Sequence, residues 1–315
     1  MISRRLSCAI GIVLAAISLA ACQPTDPDPS ADTGSRQATE VSSDVYVVEI
    51  LARDYAFVGP AEISSGWTTF RLTNEGTEHH FLFLSLLPDG KMFDDYVAEV
   101  ALPFDSVWHE LRDGTIDKPE AGAMLGRLLP EWFGSVKPMG GPGLVAAGGV
   151  AQTSVELEPG VYVMECYVKT PDGEFHGMLG MARPLTVTSD ASGALEPQAD
   201  IEITLSNYDL RIRGDMTAGE HTVAVHFQEH PNYGLGNDVH LVRLEDGTDT
   251  EQVVRWMDWM NVDGLRAPGP AQFVGGTHEM PVGYTAYFTV NLAPGRYAWI
   301  AESTAEGMVR EFTIE

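Results

Sequence analysis

The stretch Leu157-Glu-Pro-Gly160-Val-Tyr162-Val-Met-Glu-Cys166, followed by a loop with His176 and then by Gly180-Met181, decides how this chain folds. Glu158-Pro159-Gly160 is turn chemistry, and Tyr162–Val168 has the β-branched and aromatic content of a strand. Gln152–Leu157, on the other side of the turn, completes a hairpin. Outward from it, Val45–Ile50, Thr68–Thr73, His79–Leu87 and Pro184–Thr188 read as further strands. Asn74-Glu75-Gly76 and Pro88-Asp89-Gly90 supply turns between them. Two stretches read as helices inserted between strands: Met92–Val100, and Pro119–Phe133, which Pro119 opens and Gly134 closes.

The pattern recurs downstream. Leu292-Ala-Pro-Gly295-Arg-Tyr297 repeats the hairpin, and Leu244-Glu-Asp-Gly247 repeats Leu86-Leu-Pro-Asp-Gly90. Each of the latter precedes a helical stretch, Glu251–Met260 in the second copy. Gly307-Met308 echoes Gly180-Met181. Such self-similarity predicts two units of one architecture. The expected organisation is a leader over 1–21, a tether over 22–43, one β-domain over 44–188, a linker over 189–198 and a second β-domain over 199–315. Strands of this number and spacing imply sandwiches.

Two places in the first unit resemble the cupredoxins, the blue-copper family of Greek-key β-sandwiches. Phe70-Arg-Leu-Thr-Asn74-Glu-Gly76-Thr-Glu-His79-His80-Phe81 looks like the strand in which a turn glycine precedes the first copper histidine. The Cys166–His176–Met181 order looks like the family's strand-end cysteine, loop histidine and methionine before the last strand. The resemblance implies an all-β protein of two tandem cupredoxin-like Greek-key β-sandwiches with short helical insertions. It implies copper held by His79, Cys166, His176 and Met181, with His80 where many relatives place an outer Asn. Met178 competes with Met181, and His80 with His79, as the ligand. Thiolate, imidazole and a weak thioether suit a metal that cycles between oxidation states.

This sequence departs from the family in the nine residues between Cys166 and His176, where Lys169-Thr-Pro-Asp-Gly-Glu174 looks like an inserted turn. Extra loop length costs little closure entropy, so the question is whether the chain returns His176 to Cys166. Each residue also has a structural reading: Cys166 as a packed strand cysteine, the histidines as strand-entry and loop residues, Met181 as core. In the second copy Ala301 stands at the position of Cys166 and the segment that carries His176 is missing. His240 roughly matches His79 there without sequence partners, so this copy reads as a degenerate domain without a metal site.

At the amino terminus, Arg4 and Arg5 precede an apolar run from Ile10 to Leu19. That run is too short to span a bilayer comfortably. Leu19-Ala20-Ala21-Cys22 resembles the lipobox of bacterial lipoproteins, which implies a cleaved signal peptide, lipidation (palmitate) of Cys22 and a membrane partner through that anchor. Gln23 points by the same resemblance to the outer membrane of the cell envelope, facing periplasm or cell exterior. Residues 23–44, rich in Pro, Asp, Ser and Thr, read as a disordered tether. Cys8 leaves with the leader and Cys22 is taken by lipid, so Cys166 has no disulfide partner in an oxidising compartment.

The formal net charge of −26 argues against nucleic acid as a partner. No nucleophile elbow, P-loop or His-Glu-x-x-His run is present, and Gly140-Gly-Pro-Gly143 lacks the Lys and Ser/Thr of a phosphate cradle. His226 and His230 stand at helical spacing within a strand-like run, a weak metal pair. Trp256 and Trp259 are expected to pack on their own domain. The sequence therefore leads to the expectation of no catalysis. It favours a lipid-anchored protein with one copper site, for electron transfer with a redox partner protein or for copper handling. The alternatives are a metal-free scaffold lipoprotein that presents loops, and an accessory subunit of a larger oxidase-like assembly.

Overall fold

The computed structural model describes residues 45–231, 236–302 and 308–315. Strands hold 43% of the described residues and helices 18%, so the helices are insertions between sheets rather than a layer. The leader, the tether and Cys22 lie outside the described residues. Among those described, no helix is long and apolar enough to cross a membrane.

The first half comprises β1 (Val47–Arg53), β2 (Ala56–Val58), β3 (Glu62–Asn74), β4 (Phe83–Leu86), β5 (Lys137–Pro138), β6 (Val150–Leu157), β7 (Gly160–Glu165) and β8 (Ala182–Ala191). β1 pairs antiparallel with β2 and parallel with β3, and β3 pairs antiparallel with β6. β3 belongs to two layers. Its start, Glu62–Ser65, runs parallel to β8, and from Gly66 onward it pairs with β6. Gly66 sits at that corner with φ +94°, a conformation glycine adopts without strain. The other layer runs β8-β7-β4-β5.

The second half repeats this plan with β9 (Ile201–Ser206), β10 (Asp209–Arg213), β11 (Gly219–Glu229), β12 (Val239–Leu244), β13 (Gln272–Thr277), β14 (Thr285–Leu292), β15 (Gly295–Ile300) and β16 (Val309–Ile314). β9 pairs antiparallel with β10 and parallel with β11, as β1 does with β2 and β3. A four-stranded sheet runs β13-β12-β15-β16. Burial alternates along β1 and β9, as strands with one face on a core require. The two halves meet in one continuous sheet where β14 pairs with β6, Tyr287 opposite Ser154 and Phe288 opposite Thr153.

The sequence repeat has a structural reason in its tyrosines. The Tyr162 hydroxyl donates to the Glu158 carbonyl (2.8 Å), and that of Tyr297 to the Ala293 carbonyl (3.0 Å). Each ring is buried while its hydroxyl ties the turn before the strand. Tyr162→Phe is expected to cost about 1 kcal/mol in chemical denaturation, the net worth of one such bond, without changing the fold.

The helical insertion is longer than the sequence suggests. α1 (Phe93–Tyr96) continues through a π-turn over Val97–Ala101 into α2 (Leu102–Arg112), and α3 (Lys118–Leu128) follows. Pro103 lacks an N–H and breaks the α ladder just beyond the expected end at Val100. The wider π-turn absorbs that break and α2 restarts with Pro103 in its first turn. The Asp117 side chain caps α3. The strand expected over His79–Leu87 starts only at Phe83. His80 and Leu82 instead bond to the glycine-rich segment after β5, through Val145 and Pro142. α4 (Thr250–Met257) completes the elements.

Candidate metal centre

Cys166 immediately follows β7, and its Sγ lies in the core. The loop beyond it folds out as a hairpin. Lys169 pairs with Phe175 in a bridge, and Thr170 N–H donates to the Glu174 carbonyl (2.9 Å). The inserted residues therefore close on themselves, and His176 N–H donates to the Val168 carbonyl (2.9 Å), beside Cys166. The helical insertion braces this hairpin: Trp108 Nε1 donates to the Gly173 carbonyl (2.8 Å), and His109 and Arg112 hold Glu174. Two segments that read as separate insertions are one support. Met181 follows, buried, its N–H on the His176 carbonyl and its carbonyl on the Cys166 N–H. Met178 is only half-buried.

The histidine that meets them is His80. Its Nδ1 lies 3.9 Å from Cys166 Sγ, His176 Nδ1 lies 3.7 Å from that sulfur, and the two Nδ1 atoms are 3.2 Å apart. His79, expected as the first ligand, is not in the group. Neighbours on an extended chain face opposite ways, so its ring turns to the second half. There its Nε2 donates to the Ala271 carbonyl (3.0 Å), and the ring packs edge-on against Trp256 and Phe273. Trp256 thus packs against both halves. His80 does not brace the site from outside, the place the resemblance implied for it. That work falls to two carboxylates.

Asp54 accepts from His80 Nε2 (2.8 Å), and Glu78 accepts from His176 Nε2 (2.8 Å). A carboxylate oxygen can only accept, which assigns each imidazole proton to Nε2 and leaves both Nδ1 lone pairs aimed at the thiol. The Thr77 main-chain N–H and hydroxyl fix Asp54. Asn74 orders the turn by accepting from Gly76 N–H and donating to the carbonyls of Glu78 and Val145. A Cβ on Gly76 would fall onto Asp54 Oδ1 and within 2.7 Å of His80 Nε2, so this turn has room for glycine alone. Asp54 and Glu78 escaped the sequence reading because isolated carboxylates carry no spacing signal; the fold brings them in from the β1–β2 turn and the β3–β4 connection.

Burial dominates the electrostatics. It pushes the Cys166 thiol up to about 12, lowers His176 to about 3 and lowers His80. All three side chains are fully buried, so the group is a neutral thiol facing two neutral imidazoles. Two lone pairs 3.2 Å apart in a buried pocket repel each other, and a cation between them removes that cost. Metal–ligand bonds near 2 Å place neighbouring donors roughly 3–4 Å apart, and the three distances match. Main-chain N–H groups of Phe81 and Val168 reach Cys166 and favour its thiolate. Two imidazoles and a thiol fit copper, and Met181, buried and bonded through its main chain to His176 and Cys166, brings a thioether to the same end of the sheet. Asp54→Asn and Glu78→Gln are each expected to weaken copper affinity roughly 10–100-fold, the usual effect of losing such an outer partner, measured by competition with a chelator.

Elsewhere, His226 bonds Thr285 and His230 bonds the Met280 carbonyl, so the pair at helical spacing is not brought together. Asp105, His109 and Glu174 converge at half-exposed positions, where Arg112 already pairs with Glu174. His240, which had no sequence partners, is buried with Asp238, His278 and Glu302.

No family model and no curated protein matches the chain. Among solved structures it is similar to auracyanin A, a "blue" copper protein from Chloroflexus aurantiacus, at 19% identity over 45% of this chain and 98% of that one, TM-score 0.28. A multicopper oxidase matches at 13% identity over 85% and 88%, TM-score 0.23. The copper-containing nitrite reductase from Thermus scotoductus matches at 11% identity over 86% and 61%, TM-score 0.21. Enzymes stand among these structures, so the expectation of no catalysis is withdrawn. The paired strands of the described residues thus bring His80, Cys166 and His176 together at one end, with Met181 beside them, in a site that fits copper.

Proposed function

We propose that this protein is a lipid-anchored electron carrier of the bacterial envelope, with one copper ion held by His80, Cys166, His176 and Met181. One observation carries the copper reading. Two buried imidazole Nδ1 atoms and a buried thiol converge, and each imidazole is pinned through its other nitrogen by a carboxylate. Copper in such a site supplies one-electron chemistry. The chain's residues hold the donors in place in both oxidation states: Asp54 and Glu78 fix the rings, and the braced hairpin fixes His176 relative to Cys166. That rigidity keeps reorganisation small. The Cys166 proton leaves when a cation binds, so affinity rises with pH. The lipobox-like run ending at Cys22 supports membrane attachment, and the acidic surface supports a cationic redox partner protein.

Cu(II) added to the purified full-length chain should give an intense visible thiolate-to-copper band with one copper retained after dialysis. Absence of the band and of retained copper overturns the reading. Membrane attachment is tested separately, by whether Cys22→Ser moves the protein from the membrane fraction to the soluble one.

A further inference from the structure

We propose that Asp238, His278 and Glu302 form a second metal site, for a first-row divalent cation of the zinc class, in the second half of the chain. Asp238 immediately precedes β12, His278 follows β13, and Glu302 lies past the end of β15. Ligand atoms of these three and of His240 all lie within 4.8 Å of one another, and all four residues are buried. Three of them, with Tyr167 and Glu279, line a cavity of about 10 Å³, room for a single small atom or ion.

The geometry asks for a cation there. His278 is 1% exposed, its ring wedged against Phe81 (4.3 Å between centroids) and Phe83 (5.3 Å). Its Nε2 has no hydrogen-bond partner among the described residues. A buried imidazole nitrogen left without a partner costs free energy that a metal bond would recover. Carboxylates buried together are likewise costly unless paired or metal-bound.

The remaining partners are those of ligands already oriented. Tyr167 donates its hydroxyl to Glu302 (3.1 Å), and the Glu302 N–H donates to Asp238 Oδ1 (2.7 Å). His240 acts as a brace. Its Nδ1 accepts the Leu144 N–H (3.1 Å), which puts its proton on Nε2, and that group donates to Asp238 Oδ2 (2.9 Å). Imidazole with carboxylate oxygens and no sulfur favours zinc-like cations over copper(I). Three protein ligands leave a fourth position for water.

Zn(II) is the probe, applied to the full-length Cys166→Ser variant so that the thiolate centre does not compete. After dialysis, elemental analysis should find one zinc per chain. Adding His278→Gln in the same background should remove that zinc while the circular dichroism stays unchanged; if this variant does not fold, Asp238→Asn takes its place. Co(II) in the Cys166→Ser protein should show visible bands of a nitrogen–oxygen site. No zinc retained by the folded Cys166→Ser protein, or zinc retained equally by the His278→Gln or Asp238→Asn protein, overturns the proposal. The first of these outcomes means that protons, rather than a cation, neutralise the carboxylates.

Discussion

A Cys166→Ser variant should retain its fold yet lose the thiolate-to-copper band entirely, with copper affinity falling by more than the roughly 10–100-fold expected for an outer partner. The hydroxyl replaces the sulfur at nearly the same size inside a buried pocket, so the packing around β7 changes little. A serine hydroxyl does not ionise there, because burial already raises the more acidic thiol to about 12. The remaining donors are two neutral imidazoles and a thioether. The measurement is the visible spectrum together with copper retention, with circular dichroism as the check on folding. A surviving intense band would place the thiolate centre elsewhere, which the described residues do not allow, since Cys166 is their free cysteine.

The second large effect separates two adjacent residues. His80→Ala should abolish copper retention, because it removes an Nδ1 donor and leaves Asp54 without the proton it accepts. His79→Ala should leave copper stoichiometry and spectrum intact. It loses the bond to the Ala271 carbonyl and the packing on Trp256 and Phe273, for a stability loss of about 1–3 kcal/mol. Thermal unfolding with a copper titration on both variants gives a double dissociation. The reverse pattern would restore His79 as the ligand.

Those two histidines also show what the sequence could and could not carry. The Gly76–His79–His80 run and the Cys166–His176–Met181 order pointed to the right end of the right strands, because turn and strand chemistry are local. Which of two neighbouring histidines faces inward depends on one residue of register. That register is set by His80 bonding to Val145, which lies beyond a long helical insertion. The turn over Lys169–Glu174 was legible in its Pro-Asp-Gly run, but the support that Trp108 and Arg112 lend it from a distant helix was not. Asp238, His278 and Glu302 gave no signal at all. They come from three separate strand ends and have no common spacing. The repeated Pro-Gly-x-Tyr turns, by contrast, were legible twice over because each encloses its own hydrogen bond.

The pairing of β14 with β6 bears on how the chain is made and how it fails. It is reinforced by Thr153 Oγ1 donating to the Gly276 carbonyl (2.8 Å) and by the Tyr284 hydroxyl on Glu158 (3.0 Å). Cutting the chain between β8 and β9 would strip the cover from both strands. Each fragment would then carry a bare row of N–H and C=O groups, the template on which chains add edge to edge. Separately produced halves should therefore aggregate or exchange strands, and the intact chain should unfold in one cooperative transition. During synthesis the first half must wait, edge open, until the second emerges, and in that interval it is most exposed to misassembly.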